Sequence, residues 1–106
     1  MITGEDRQHF IGYSDNVYIR TENKLEYAIL ENEHHHKLTE ETIVVERGRI
    51  MAITSREGSY QYKIMQPREA HTFRIGEVHT LLLWPKAVIH TIKYNAIDGD
   101  WYGEKE

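Results

Sequence analysis

Apolar and polar residues alternate along this chain with a period of two, not 3.6. In SYQYKIM (59–65), Tyr60, Tyr62 and Ile64 fall on one face, and in AVIHTIKY (87–94), Val88, His90, Ile92 and Tyr94 do. Similar segments rich in β-branched and aromatic residues recur as NVYIR (16–20), KLEYAIL (24–30), TIVVE (42–46), RIMAITS (49–55), HTFRI (71–75) and HTLLLW (79–84). Most have the length of strands. Turn signals separate them at Arg47-Gly48, Glu57-Gly58, Pro67, Gly76 and Trp84-Pro85. No segment sustains a helical period. The pattern predicts an all-β chain, and strands at this interval without helices between them predict an antiparallel sandwich or barrel.

No internal repeat or linker interrupts the series, so a single domain over residues 1–106 is expected, with polar flanks at 1–14 and 95–106. Trp101 and Tyr102 are positioned to pin the second flank to the barrel. Gly48 is expected to supply a positive φ after TIVVER. Tyr18, Tyr60 and Tyr62 read as packing residues, and Trp84 as closing one end of the barrel.

Composition narrows the function. With 40% apolar and 28% charged residues and a formal charge of −4, the chain resembles an ordinary soluble domain. Its basic residues are scattered, which argues against a nucleic-acid surface. The absence of cysteine removes disulfides and thiolate metal sites. The start, MITGEDRQHF, lacks the features of a signal peptide, and no apolar run reaches the length of a membrane span. A cytoplasmic location is the expectation.

The chemistry concentrates in EHHHKLTEETIVVERG (33–48). Three internal histidines leading into an apolar strand do not suit a terminal tag; they suit a solvated polar run or a metal site. On a strand, His34 and His36 share one face and His35 takes the other. If 37–40 form a four-residue hairpin loop, His36 pairs with Glu41 and His34 with Ile43, and direct partners share a face. Two imidazoles and a carboxylate then converge, a donor set for iron, manganese, nickel, copper or zinc. Glu40 points the other way, so Glu41 is the better ligand. His9 and His35 are expected to be exposed, and His79 and His90 read as structural.

This stretch resembles the first conserved motif of the cupin superfamily: two histidines one residue apart, a glutamate beyond them, then a glycine. His34, His36, Glu41 and Gly48 fit that spacing. The family's second motif supplies a third histidine after a proline-glycine turn on a later strand, and MQPREAHTF resembles it, with His71 matching. Ala28, Arg68 and Ile75 stand where the family has two glycines and an asparagine, and Pro67 is offset by one. The departures touch turns and supports.

The resemblance implies an antiparallel double-stranded β-helix, or jelly roll. It also implies one divalent metal ion held by His34, His36, Glu41 and His71, with two coordination positions open. The function it implies is isomerase, epimerase, lyase or dioxygenase chemistry on a small polar molecule, sugar-like or a carboxylate. The alternatives are a non-catalytic ligand-binding or sensing module, or a metal-free barrel in an assembly. HTLLLW is apolar on both faces, so one face needs a second cover. A homodimer is expected, with residues before Asn16 available to add a strand to the partner's sheet.

Overall fold

The computed structural model describes residues 4–11, 17–31, 34–35, 39–94 and 102–103. These form strands β1 (Glu5–Ile11), β2 (Val17–Asn23), β3 (Ile29–Leu30), β4 (His34–His35), β5 (Glu40–Arg47), β6 (Ile50–Arg56), β7 (Ser59–Met65), β8 (Ala70–Phe73), β9 (Val78–Leu83), β10 (Val88–Tyr94) and β11 (Tyr102–Gly103). They build two antiparallel sheets, ordered β1-β2-β10-β5-β8 and β11-β4-β9-β6-β7, with β3 also pairing β9. The architecture is the expected all-β sandwich. No helix among the described residues is long and apolar enough to cross a membrane.

Alternation decides which side chains meet between the sheets. On β5, Glu41, Ile43 and Val45 are buried while Glu40 is exposed. On β6, Ile50, Ala52 and Thr54 turn inward. Two consecutive residues of β10, Val88 and Ile89, are both buried, because the pairing with β5 shifts register between them. The apolar core, with Val45, Ile50, Met65, Leu83, Ala87 and Ile89 among its members, fills one end of the sandwich. Along the same strands the inward residues then become polar. Ile89, Thr91 and Lys93 succeed one another on β10, opposite Val45, Ile43 and Glu41 of β5. Leu83, Leu81 and His79 do so on β9, opposite Ile50, Ala52 and Thr54 of β6. One end is therefore a hydrophobic plug and the other carries the chemistry.

Several expectations change. Within the supposed N-terminal flank, residues 5–11 form β1, an edge strand paired with β2 of the same chain. Only 29–30 of the 24–30 segment is strand. The preceding chain turns instead, because the Asn23 side chain accepts from Leu25 N at 2.9 Å and donates to Tyr27 O at 3.0 Å. Tyr60 and Tyr62 are exposed rather than packed, at 49% and 64%. Trp101 lies outside the described residues, while Tyr102 pairs with His35. Gly48 has φ 78°, and a Cβ there would lie 2.8 Å from the Ala87 backbone, so both conformation and space require glycine.

Candidate metal centre

The hairpin expected between His36 and Glu41 is not formed. β4 belongs to the second sheet, where His34 pairs with His79 and Gly103. β5 belongs to the first, where Glu41 pairs with Lys93 and Phe73, and Ile43 with Thr91 and His71. The chain crosses from one sheet to the other between these strands. Glu41 is therefore brought toward its neighbours across the sandwich, from the opposing sheet.

The residue it meets is His79. Both side chains are buried, and His79 Nε2 lies 3.5 Å from Glu41 Oε2. Phe73, the strand neighbour of Glu41, stacks flat on the His79 ring at 4.0 Å between centroids and fixes its plane. His79 Nδ1 donates to Glu77 O at 2.9 Å. That bond turns the Nε2 edge of the ring toward the carboxylate. An imidazole whose far N–H is anchored on a backbone carbonyl is the usual form of a metal-ligating histidine. A ring nitrogen and a carboxylate oxygen brought together in a buried setting are two donors of the kind a divalent cation takes. The residues present fit a divalent metal on these grounds.

The other expected ligands lie as follows. His34 is the strand partner of His79, so its backbone stands beside the pair; its side chain and all of His36 lie outside the described residues. His71 is half-buried on β8 opposite Ile43, one inward position along from Phe73, and its ring meets the Phe73 edge at 4.9 Å. Burial first, then Lys63, holds its pKa below the usual imidazole value. Among the described residues no group of three or more His, Cys, Asp or Glu donors gathers at one point. His35, expected to be exposed, is half-buried. His90 lies outside the cavity, on the outer face of the first sheet. There it accepts from the Tyr18 hydroxyl through Nδ1 and donates from Nε2 to Glu46 at 2.6 Å. The hydrogen bond from His90 keeps the Glu46 pKa below the ordinary carboxylate range.

Glu41 also lines a cavity of about 40 Å³ between the sheets, together with Arg7, Thr21, Glu31, Thr91 and Lys93 and with apolar Ile19, Leu81 and Ile89. That space holds roughly three waters. Lys93 Nζ stands 3.9 Å from Glu41 Oε1. Arg7 reaches from β1 to the opposite sheet, donating to Glu31 at 2.9 Å and pairing with Glu5 at 2.6 Å. Burial, reinforced by Glu5 and opposed by Arg7, pushes the Glu31 carboxyl up to about 8. At neutral pH it is mainly protonated.

The sequence reading missed His79, Glu31 and Arg7 as site residues. For His79 a signal existed: Gly76, at φ 81°, makes a turn three residues before it on a later strand. Glu31 and Arg7 lay in segments read as a strand end and a polar flank.

No protein-family model matches the sequence, and no curated protein matches it significantly. Solved structures do match in fold. KdgF from Halomonas sp. superposes with a TM-score of 0.75 at 16% identity, over 90% of this chain and 82% of that one. A variant of Bacillus subtilis oxalate decarboxylase gives 0.82 at 12% identity, over 98% of this chain and 29% of that one. An oxalate oxidase gives 0.75 at 9% identity, over 98% of this chain and 57% of that one. This chain thus spans less than two thirds of either oxalate enzyme. The fold is the cupin fold.

Proposed function

We infer that this chain is a metal-dependent cupin that processes a small polar molecule. We assign Glu41, His79 and the histidines at 34 and 36 as its metal ligands, with His79 in the place first given to His71. The observation that carries the reading is the buried meeting of Glu41 with the Nε2 edge of His79, in strand register with His34. A divalent ion bound there supplies Lewis acidity to a carbonyl or enediol oxygen and lowers the pKa of bound water.

The residues around it define what enters. A cavity of about 40 Å³ admits a molecule of few atoms. Lys93 and Arg7 bring positive charge to its lining, and Thr21 and Thr91 bring hydroxyls. This favours a small carboxylate or hydroxy acid, in keeping with two of the structural matches being named for reactions of oxalate. Protonated Glu31 places a proton at the cavity wall.

The test is metal analysis of protein purified without a histidine tag. Turnover and oxygen uptake on a panel of small hydroxy, keto and dicarboxylic acids and sugars follow, with and without chelator. Stoichiometric metal and chelator-sensitive turnover are expected. Metal without turnover would favour the binding-module reading, and protein without affinity for divalent metal would overturn the proposal.

A further inference from the structure

On the outer face of the first sheet, away from the cavity, strand register gathers a second set of titratable side chains. His90 of β10 stands opposite Arg20 of β2 and Val44 of β5. Tyr18 and Glu46 lie two residues along from these partners, one toward each end of β10. Diagonal neighbours on a sheet are about 7–8 Å apart, within reach of aromatic and long side chains. His90 spans both diagonals. The Tyr18 hydroxyl bonds to its Nδ1, and Glu46 Oε1 lies 2.6 Å from its Nε2. The Tyr18 and His90 rings stack at 5.5 Å between centroids. Glu46 is exposed, and an exposed carboxylate is ionised at neutral pH and can only accept. Nε2 therefore donates to Glu46. In the neutral ring Nδ1 is then the acceptor and the phenol its donor.

Tyr18, His90 and Glu46 stand in the order nucleophile, base and orienting carboxylate, the arrangement that activates a hydroxyl. We propose that Tyr18 is a site of covalent acylation, taking the acyl group of activated aryl esters. Tyr18 Oη attacks the acyl carbon, and its proton passes to His90 Nδ1. The Oη–C bond forms as the bond from the acyl carbon to the leaving oxygen breaks. The departing phenolate takes the proton from His90, so the products are an acyl-tyrosine and a free phenol, and the imidazole is neutral again. While the ring is an imidazolium, Glu46 balances its charge at Nε2. Phe10, the strand partner of Tyr18, is exposed and tilts against the Tyr18 ring at 5.5 Å, which offers an apolar surface to an aryl group. These side chains lie on the face turned away from Glu41 and His79, so the reactivity is independent of the metal centre. Tyr27, Tyr60 and Tyr62 are more exposed than the half-buried Tyr18, but among the described residues no base bonds to their hydroxyls. Exposure alone would make them react first, and the relay reverses that order.

The experiment is brief exposure of the full chain to 4-nitrophenyl acetate near neutral pH, followed by peptide mapping by mass spectrometry. Tyr18 is expected to be labelled about 100-fold faster than Tyr27, Tyr60 or Tyr62 in the same molecule, the order of effect of a positioned base. His90→Gln is expected to remove that advantage. Glu46→Gln, at an exposed position, is expected to reduce it severalfold, because a neutral amide balances no charge on the ring. The readout is the ratio of Tyr18 to Tyr27 labelling, since a general loosening of the fold raises both, and circular dichroism checks the fold of each variant. Tyr18 labelled no faster than the exposed tyrosines, or an unchanged ratio in either variant, would overturn the proposal.

Discussion

Glu41 and His79 lie 38 positions apart in the chain and on opposing sheets, yet their side chains approach to 3.5 Å in a buried setting. Stacking on Phe73 and the bond to Glu77 O hold the imidazole in place. Because the ring is already anchored, a metal bound there would need little further ordering. Replacing His79 by alanine, or Glu41 by glutamine, is expected to weaken binding on the order of 100-fold or more, since even supporting residues of metal sites are worth 10- to 100-fold. Glu40→Gln, at an exposed position, is expected to leave binding unchanged. Metal content by mass spectrometry of tag-free protein reads all three, and equal metal in His79→Ala and wild type would contradict the assignment.

His71 provides the contrasting case. It shares the inward face of β8 with Phe73 but stands opposite Ile43 instead of Glu41. His71→Ala is expected to keep its metal. Its depressed pKa predicts a pH effect on stability: the unfolded chain takes up this proton first, so folding weakens as pH falls below about 6.5 toward the lower folded value. The variant is expected to show a shallower loss of Tm between pH 7 and 5. Loss of metal in His71→Ala with retention in His79→Ala would reverse the two roles.

What was legible in the sequence is local. TIVVE and SYQYKIM reveal their strands because consecutive side chains leave to opposite faces, and the pattern needs no knowledge of the partner strand. The partner itself is not local. His34 pairs with His79, 45 positions away, while the nearer Glu41 lies in the other sheet, so a hairpin argument chose Glu41 over Glu40 correctly as the buried residue but by the wrong geometry. HTLLLW concealed His79 because a strand buried at three consecutive positions, His79 to Leu81, shows no clear period of two. Glu5 and Arg7 looked like flank residues because Arg7 finds its partner in Glu31, which the sequence places far from them.

Glu31 should make stability depend on pH in the opposite sense to His71. Its folded pKa of about 8 lies above the unfolded carboxylate value of 4.5. Between these values the folded state holds a proton that the unfolded state has released. Its contribution is therefore fully present below about 4.5 and is lost as pH rises through 8. Thermal unfolding from pH 5 to 9 is expected to show a falling Tm, flattened in Glu31→Gln, which keeps the neutral form's shape and its acceptor for Arg7. An unchanged slope in the variant would mean that another group titrates in that range.

The last expectation concerns Asn23, which is fully buried and joins three segments of chain. Its Nδ2 donates to Tyr27 O and Leu83 O at 3.0 Å and to Trp84 O at 3.2 Å, and its Oδ1 accepts from Leu25 N at 2.9 Å. Alanine would withdraw both the donor and the acceptor at a site with little access for water. The expected cost is about 2–4 kcal/mol, more than one ordinary hydrogen bond, because buried backbone groups are left poorly matched. For a domain of this length that lowers Tm by roughly 10 °C or more. Aspartate has nearly the same shape, but it sets an acceptor against backbone carbonyls. Asn23→Asp should therefore be at least as damaging as alanine at neutral pH and should recover in part in acid, where the carboxyl can donate. Denaturation of both variants at pH 7 and pH 4 measures this, and an aspartate variant as stable as wild type at pH 7 would show that the donor bonds contribute little.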